Sequence, residues 1–515
     1  MRRLAVLLAA LLLLSGCAFL EEPEEPEEDW SGYSQLLPEE SEEEPEETVP
    51  EYPAAFSLPY HRDQTLDPVS CSDGAQETAA ALLYEPLFRL DRQFQPEPVL
   101  CESWAWDETG LVCALTLRED VAFSDGSALT APDVAETLLR AMESERYAYR
   151  LRNIADVTVN RAGQVLITLT APNQGLPALL DIPIVKRTTA GSLVPVGTGP
   201  YLLVRGDDGA CLRAREDWWQ GKPLPIAAIP LVHAKDRDTA RYLFSTRQVE
   251  LLTVDPTDDP ALSAGQVSAV GQPTAVLQFI GFNTAEDRPF ADASLRSLFS
   301  AGIDRKTLVH VQLPQLALAA RFPISPLSPL YPADLERAYS EEETLAALRA
   351  AGQDTGEIRE LTLLVSGNDS FRASTARFIA DGLSLLDWRI TVVELPWEEY
   401  LAALEAGEFD LYFGEVRLTA DWDLSDLIGT EGTLNYGGYA SEITDILLQN
   451  LLAAGDRTQA ARQLCSHLRN TAPIAPICFQ NNSVLTHPDV VEGMTPAPSG
   501  VFYGLENWTV HTAGE

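Results

Sequence analysis

The sequence has 515 residues, which is too long for one hydrophobic core, so we expect about three domains or lobes. Its content of 45% apolar and 22% charged residues is ordinary for a soluble globular protein. Its formal net charge of −41 is not ordinary, and it argues against nucleic-acid binding and against adsorption to anionic lipid. Any attachment to a membrane is therefore expected to be covalent.

The first 17 residues have the pattern of a secretion signal. Arg2 and Arg3 precede an apolar run over residues 4–14 that is too short to span a bilayer comfortably. The ending Leu14-Ser15-Gly16-Cys17 resembles the bacterial lipobox, in which the cysteine is lipidated and becomes the mature N-terminus. We therefore predict lipidation at Cys17 and a location on the outer face of the bacterial cytoplasmic membrane. The alternative is an ordinary signal peptide with a chance cysteine.

Residues 18–55 are predicted to form an extended, disordered tether. Residues 18–51 hold 15 acidic residues, no basic residue and several prolines. Such a self-repelling segment cannot collapse into a core. We expect it to space the protein from the membrane rather than to recognise a partner.

The remaining six cysteines show no metal-ligand spacing. Cys101 and Cys113 flank a predicted hairpin turn over residues 107–110, but their offsets from the turn are unequal. Unequal offsets disfavour a disulfide across the hairpin, so buried free thiols are the preferred prediction.

The body of the chain mixes strand and helix patterns. Alternating apolar residues over 165–170 indicate a strand, and Thr130–Asp133 and Ser340–Glu343 resemble capping boxes that begin helices. A later series alternates strand and helix, which indicates a doubly wound α/β sheet. Its predicted elements are Leu361–Val365, Ser374–Leu386, Ile390–Leu395, Trp397–Ala406 and Phe409–Phe413.

No pattern in the sequence supports catalysis. Gly221-Lys222 is followed by proline rather than by the Ser or Thr of a P-loop, and neither HExxH nor GxSxG occurs. The six histidines are scattered, and none lie four residues apart. We therefore predict a protein that is not an enzyme and that has neither a cofactor nor a metal site.

Five ordered segments together resemble the extracellular solute-binding proteins of family 5, the receptors of peptide, nickel and related ABC importers. They span most of residues 56–510. The segments are Thr65–Pro68 with 82–91, Glu102–Val134, Pro195–Tyr201, Gly281–Val309 and Tyr439–Phe479. Two departures, at Cys101 and Asp120, concern local packing and turn geometry.

The resemblance implies a two-lobed periplasmic-binding-protein-like α/β fold of type II. Lobe I is expected over residues 56–277, with an inserted α/β subdomain at about 70–190. Lobe II is expected over 278–480, and residues 481–515 return to lobe I.

The resemblance also implies a function. The expected protein captures a di- or oligopeptide between the lobes by hinge closure and delivers it to membrane permease subunits, as a monomer. Within the family the ligand is alternatively a nickel chelate, an opine or an oligosaccharide. From a different class, the protein is alternatively a lipoprotein that presents bound peptide to a sensor.

The segment FDLYFGEVRLTADWDLSDLI (409–428) has three interpretations. Catalysis by Asp421 and Asp423 lacks a nucleophile or a histidine partner. A structural interpretation has Asp423 or Ser425 capping the helix that follows. The third rests on the resemblance, because Ala420-Asp421-Trp422 is similar to the Ala-Asp-aromatic segment whose aspartate binds the α-ammonium in peptide-binding members.

The predicted ligand contacts are therefore led by Asp421. Trp422 is expected to add an apolar or cation–π wall. Arg417 either neutralises Asp421, meets a ligand carboxylate or is solvated. Phe282 and Asn283, at the predicted crossing between lobes, and Tyr439 are further candidates for the cleft wall.

Overall fold

The computed structural model describes residues 52–71, 74–207, 209–257, 266–352, 358–367, 370–384 and 388–513. The predicted signal peptide, Cys17 and nearly all of the predicted tether lie outside the described residues. In the ranges given, no helix has both the length and the apolar character needed to cross a bilayer.

The first sheet has four strands in the order β1–β12–β11–β10. β1 runs parallel to β12, and the other neighbours are antiparallel. Its buried core includes Phe56 and Tyr201 and also the distant Leu505 and Trp508, so the C-terminal stretch packs with the beginning of the body. The strands are β1 Leu58–Tyr60, β10 Tyr201–Gly206, β11 Gly209–Ala214 and β12 Ala228–His233.

A second, antiparallel sheet of four strands lies in the order β5–β6–β8–β7. The hairpin predicted at residues 107–110 joins β5 to β6. Cys101 pairs with Leu117 and Cys113 with Trp106, so the two cysteines are not cross-strand partners. Every cysteine in the described ranges is a free thiol. The strands are β5 Cys101–Trp106, β6 Val112–Leu117, β7 Ile154–Val159 and β8 Val165–Leu169.

The third sheet has the order β13–β19–β14–β18–β16–β17, with β15 paired to β19. Its β16, β17 and β18 are parallel neighbours joined through helices, so the predicted doubly wound series is confirmed. The strands are β13 Leu251–Val254, β14 Ser268–Phe282, β15 Ala317–Ala319, β16 Arg359–Ser366, β17 Trp388–Leu395, β18 Leu411–Arg417 and β19 Ile474–Thr486.

Two long strands, β14 and β19, form an antiparallel ribbon inside the third sheet. They pair antiparallel from Ser268↔Thr486 to Gly281↔Ile474, with two register shifts. The predicted boundaries 277/278 and 480/481 both fall inside this ribbon. The predicted limits of the lobes stay a prediction.

The remaining strands form three small pairs, β2–β9, β3–β4 and β20–β21. These strands are β2 Glu85–Pro86, β3 Phe88–Leu90, β4 Pro96–Pro98, β9 Pro183–Ile184, β20 Val491–Glu492 and β21 Thr509–Val510. The helices are α1 Gly74–Ala80, α2 Ala131–Glu143, α3 Arg237–Ser245, α4 Ala293–Ala301, α5 Arg305–Gln312, α6 Glu341–Ala350, α7 Ser370–Leu383, α8 Trp397–Ala406, α9 Ser425–Ile428, α10 Glu442–Ala453 and α11 Arg457–Thr471.

Local sequence signals account for several of these boundaries. The capping box at Thr130 begins α2, and the Ser340 side chain accepts from the Glu343 N–H at the start of α6. At the bend over residues 195–201 the backbone passes very close to the backbone of Leu83. A Cβ on Gly197 would lie 2.2 Å from the Leu83 carbonyl oxygen, so a glycine is needed there.

Candidate ligand-binding site

Asp421 lies in a turn that follows β18, and it is 2% exposed. Its Oδ1 accepts a hydrogen bond from the Thr419 hydroxyl at 2.5 Å, and Asp423 N–H donates to the same oxygen at 3.3 Å. The other carboxylate oxygen accepts from the Asn173 side-chain amide at 2.8 Å. All three donors are neutral groups.

Asn173 belongs to the loop after β8, 248 residues before its partner. It is 3% exposed, and its own carbonyl oxygen accepts from the Gly175 N–H at 2.8 Å. A Cβ on Gly175 would lie 2.7 Å from the Asp421 Cβ and 2.7 Å from Arg457 Nη1. Gly175 is therefore the position that lets this loop approach the turn so closely.

The arginine beside Asp421 is Arg457, at the start of α11, and not Arg417. Arg457 Nη2 donates to the Asp421 backbone carbonyl, and Nε donates to the Leu451 carbonyl at 3.1 Å. Burial lowers the pKa of the Arg457 guanidinium, and the nearby negative charge of Asp421 opposes that shift. Arg417 ends β18 with an exposed side chain, so the predicted neutralisation of Asp421 by Arg417 does not occur in this conformation.

Trp422 is buried and contacts an aromatic residue from a distant part of the chain. It is 1% exposed, and its ring packs edge to face on Phe94, with 5.1 Å between ring centroids. Phe479 of β19 contacts it from another side. Trp422 and Phe94 both have left-handed backbone, with φ of 59° and 61°. Such conformations are unusual for aromatic residues.

A cavity of about 400 Å³ adjoins this pair, and we call it the Arg457 cavity. One wall comes from the β3–β4 hairpin and the loop after β8, and the other comes from the turn around Trp422 and the start of α11. The lining residues are Phe94, Gln95, Pro96, Gln174, Gly175, Pro177, Ala178, Leu330, Ala420, Trp422, Gly455, Asp456, Arg457 and Thr458.

Charged groups also join the segment before β7 to the turn after β18. Arg152 donates to Asp423 at 2.6 Å and lies 3.1 Å from Asp426. The Tyr149 hydroxyl donates to Asp426 at 2.7 Å, and the Arg152 guanidinium lies over the Tyr149 ring. Burial and the hydrogen bond to Asp426 raise the pKa of Tyr149.

Asp423 was one of two predicted caps for the helix that follows it. The observed helix α9 is a single turn whose N-cap position is Leu424, without a side-chain cap. Asp423 Oδ1 nevertheless accepts from the Ser425 N–H at 3.0 Å, and its other oxygen binds Arg152. The Asp423 carboxylate therefore stabilises the turn and holds the distant arginine.

The other predicted site residues lie away from the Asp421 carboxylate. The Phe282 ring is in the core against Phe290 and Phe299. The Asn283 side chain donates to the carbonyls of Gly407 and Phe409, so it stabilises the loop before β18.

Tyr439 is buried as well. Its hydroxyl shares a hydrogen bond of 2.8 Å with the Thr444 hydroxyl, and the Arg296 guanidinium lies 5.7 Å from its ring centroid. In this conformation the side chain therefore packs inside the protein.

A chain of polar side chains crosses the β14–β19 ribbon. Gln278 Nε2 donates to Glu415 at 2.5 Å and to Gln480 at 3.0 Å. Gln480 Nε2 in turn donates to Asp255 at 2.6 Å. These bonds link both strands of the ribbon to β18 on one side and to the end of β13 on the other.

The profile of the bacterial extracellular solute-binding proteins, family 5 (Middle), matches residues 95–430, which is more than half of the chain. The chain belongs to this family. Solute-binding protein family 5 is the family named by the sequence resemblance, and the predicted two-lobed fold of type II is confirmed with it. Its members are binding components of ABC transporters rather than enzymes.

Similar family 5 proteins have different ligands in their names. The glutathione-binding protein GsiB of Salmonella typhi is 25% identical over 427 residues, covering 77% of this chain and 83% of that one. The oligopeptide-binding protein AppA of Bacillus subtilis, solved with a nonapeptide, has a TM-score of 0.58 and 20% identity, with 90% of this chain and 100% of that chain covered.

NikZ of Campylobacter jejuni, solved with Ni(L-His), has a TM-score of 0.59 and 18% identity, with 89% and 100% of the two chains covered. At these identities the two structures establish the shared fold alone.

The residues that sequence reasoning missed are Asn173, Gly175 and Arg457. Asn173 and Gly175 lie in Pro172-Asn-Gln-Gly175, which is typical of an ordinary turn. Arg457 follows an Asp that caps a helix, and nothing in its surroundings indicates an approach to residue 421. Local sequence patterns do not predict contacts of Asp421 with Arg457 and Asn173, which are 36 and 248 positions away.

Proposed function

We propose that this family 5 protein is the extracytoplasmic receptor of an ABC importer for peptides, and that Asp421 binds the free ammonium of the captured peptide. In this proposal Cys17 carries the lipid anchor, residues 18–55 form the tether, and the loaded receptor docks on the permease subunits. The peptide is held between the two lobes and released when they open.

The observation that carries the proposal is the state of the Asp421 carboxylate. It is almost fully buried, yet its hydrogen-bond donors are the neutral groups of Thr419, Asn173 and the backbone. Within the described ranges, no Lys, Arg or His nitrogen lies within 4.0 Å of its carboxylate oxygens. Burial of a carboxylate without a directly bonded cation is costly, and a ligand ammonium would supply that cation.

The surroundings of Asp421 favour an ammonium over an anion. The protein has a formal net charge of −41, which repels anions and attracts cationic groups at long range. Asn173 leaves acceptor capacity on Asp421 Oδ2, since an ionised carboxylate oxygen accepts more than one hydrogen bond. The ligand would therefore join the existing hydrogen bonds rather than replace all of them.

The other predicted contacts take different parts in this proposal. Trp422 closes the wall behind Asp421, and Phe282, Asn283 and Tyr439 maintain the packing of the surrounding elements. Arg417 is exposed at the end of β18, where it meets the ligand only if the ligand extends along that strand.

A second candidate ligand is glutathione, because the relative GsiB is named for it. Glutathione is a short peptide with a free α-ammonium, so the same carboxylate would bind it. The difference from other peptides would then lie in the remainder of the ligand.

The test compares a free with a blocked ammonium. Calorimetric titration of the purified protein with tri-alanine and with N-acetyl-tri-alanine should give at least about tenfold tighter binding of the free peptide. Asp421→Asn should remove this preference, whereas the exposed control Asp287→Asn should retain it. Equal affinity of both peptides for the wild-type protein would refute the role of Asp421.

A further inference from the structure

Two hydrogen bonds hold the guanidinium of Arg457 in position, and they leave its third nitrogen, Nη1, available to donate. Nε and Nη2 donate to the main-chain carbonyls of Leu451 and Asp421. In the part of the chain that the structure describes, Nη1 has no hydrogen-bond partner and the guanidinium has no ion pair. A guanidinium held by two main-chain carbonyls is pre-organised to bind a further acceptor.

The Arg457 cavity is large enough for part of a ligand. Its volume of about 400 Å³ falls within the usual range of small-molecule sites, roughly 300–1,000 Å³. Its two walls come from segments that are far apart in the sequence. Close to the cavity, the same regions of the chain are joined by the Asn173–Asp421 hydrogen bond and the Arg152–Asp423 ion pair. A group bound in it would contact both walls and stabilise their approach.

The aromatic residues of the cavity have strained backbone. Phe94 and Trp422 come from opposite walls, contact each other, and both have left-handed φ. Strained conformations of this kind are costly and concentrate at ligand-binding positions. Leu330 lines the cavity with them and is partly exposed, so it offers an apolar surface for the aliphatic part of a bound group.

Arg457 gives this cavity a local positive charge in an otherwise acidic protein. Asp456 also lines the cavity, but its Oδ1 accepts from the Gln459 N–H as the cap of α11. The carboxylate of Asp421 does not line the cavity, although Ala420 and Trp422 on either side of it do. The cavity, with the positive charge of Arg457, and the negatively charged carboxylate of Asp421 are therefore adjacent but separate.

We propose that the Arg457 cavity is a second ligand subsite, in which Arg457 binds the side-chain carboxylate of an Asp or Glu residue of the captured peptide. This inference rests on the proposed peptide function and adds the chemical class of one peptide side chain to it. Asp421 selects the ammonium, and Arg457 selects an acidic residue nearby.

The experiment uses tripeptides based on tri-alanine with Glu at position 1, 2 or 3 and the three matching Gln peptides. Gln retains the shape of Glu but lacks its charge. Calorimetric titration of the wild-type protein should show one position at which Glu binds at least about tenfold more tightly than Gln.

Two arginine variants then identify the group that binds the carboxylate. Arg457→Gln should abolish the preference for Glu, and Arg457→Lys should retain part of it, because Lys keeps the charge but not the fork. Arg462→Gln is the matched control on the same helix, since Arg462 pairs with Asp334 at the surface. Thermal unfolding checks that each variant is folded. If Arg457→Gln is not folded, the reduced preference for Glu in Arg457→Lys is the measurement that tests the role of Arg457.

The outcomes separate this inference from the proposed function. Equal binding of Glu and Gln at all three positions, or a Glu preference that survives in Arg457→Gln, overturns the subsite and leaves the role of Asp421 intact. Failure of every tripeptide to bind overturns the peptide function and the subsite together. Loss of the Glu preference in Arg457→Gln, with the preference for a free ammonium retained, supports both.

Discussion

The side-chain amide of Asn173 donates a hydrogen bond of 2.8 Å to the carboxylate of Asp421, and both groups are almost fully buried. The two residues belong to different parts of the fold, the loop after β8 and the turn after β18. The proposed ligand-binding carboxylate is therefore oriented by a residue from a distant segment of the chain. Under the proposed function, the approach of the two segments and the orientation of Asp421 are coupled through this one bond.

Removal of the Asn173 amide should destabilise the observed conformation. Asn173→Ala leaves one oxygen of a buried carboxylate without its donor, which costs about 1–3 kcal/mol. The free energy of unfolding in urea should fall by that amount. Asn470→Ala, an exposed asparagine on α11, should change it little, and an equal loss in both variants would contradict the importance of the Asn173–Asp421 bond.

A methyl group at Gly175 should disturb the same contact from the other side. The added Cβ would lie 2.7 Å from both Asp421 Cβ and Arg457 Nη1, so one of them must move. Overpacking of this kind costs roughly 1–3 kcal/mol, and the melting temperature of Gly175→Ala should fall accordingly.

Gly206→Ala is the control for this substitution, because a Cβ added at Gly206 would have no atom within 4 Å. A melting temperature that is unchanged in Gly175→Ala would show that the loop and the turn separate without cost.

Under the proposed function, loss of Arg152 should favour the open form. Arg152 joins Asp423 and Asp426, but all three side chains are partly exposed, so each ion pair contributes only about 0.2–1 kcal/mol. We expect Arg152→Ala to raise the radius of gyration of the ligand-free protein in small-angle X-ray scattering at low salt. At high salt, where the pairs are screened, the wild-type protein should approach the variant.

Arg389→Ala is the matched control for Arg152, because Arg389 pairs with Glu360 on one exposed edge of the third sheet. If scattering from Arg152→Ala and from Arg389→Ala is indistinguishable, the Arg152 ion pairs do not hold the segment before β7 against the turn after β18.

Glu250 should make stability depend on pH. Burial raises the pKa of this carboxyl to about 7, well above its ordinary value, with Arg247 partly opposing the shift. The folded protein therefore binds a proton that the unfolded chain has released, and this contribution to stability is lost as pH rises from about 4.5 through about 7.

His487 faces Glu250, with 3.8 Å between Nε2 and Oε2, and its effect has the opposite sign. Burial lowers the pKa of His487, so the folded protein disfavours its charged form and gains stability as pH rises through the ordinary histidine range. The substitution Glu250→Gln isolates the acid, since Gln resembles the protonated carboxyl. It should stabilise the protein at pH 8 and change little at pH 5.

The measurement for Glu250→Gln is the urea midpoint at both pH values, with the exposed Glu216→Gln as control. An increase that is equal at pH 5 and pH 8 would mean that the gain comes from packing and not from the charge.

Local sequence signals predicted the second half of the fold well. Helix Trp397–Ala406 has the predicted bounds, and the strands around it differ by a few residues at their ends. These elements follow from apolar periodicity and from breakers such as Gly407, which has left-handed φ at the end of its helix. Helix α7 begins at Ser370, four residues before the prediction, because its buried face extends back to Phe371.

The candidate site was predicted in part. The sequence singled out Asp421 and Trp422, and the structure places both in one buried turn. It left open whether Arg417 neutralises Asp421, meets a ligand carboxylate or is solvated. The Arg417 side chain is exposed, and the arginine beside Asp421 is Arg457. An arginine four residues upstream is close along the chain, but β18 directs its side chain to solvent, whereas α11 brings Arg457 back to the turn.

The sequence by itself determined the family and the alternating elements over residues 361–413, and it singled out Asp421, because these depend on residue type and on short-range spacing. Only the tertiary structure decided what surrounds that carboxylate. Asn173, Gly175 and Arg457 reach Asp421 through the pairing of β14 with β19 and the packing of α11, which are contacts between distant segments. Periodicity and capping describe at most a few turns of chain, so they carry no information on which distant loop meets which turn.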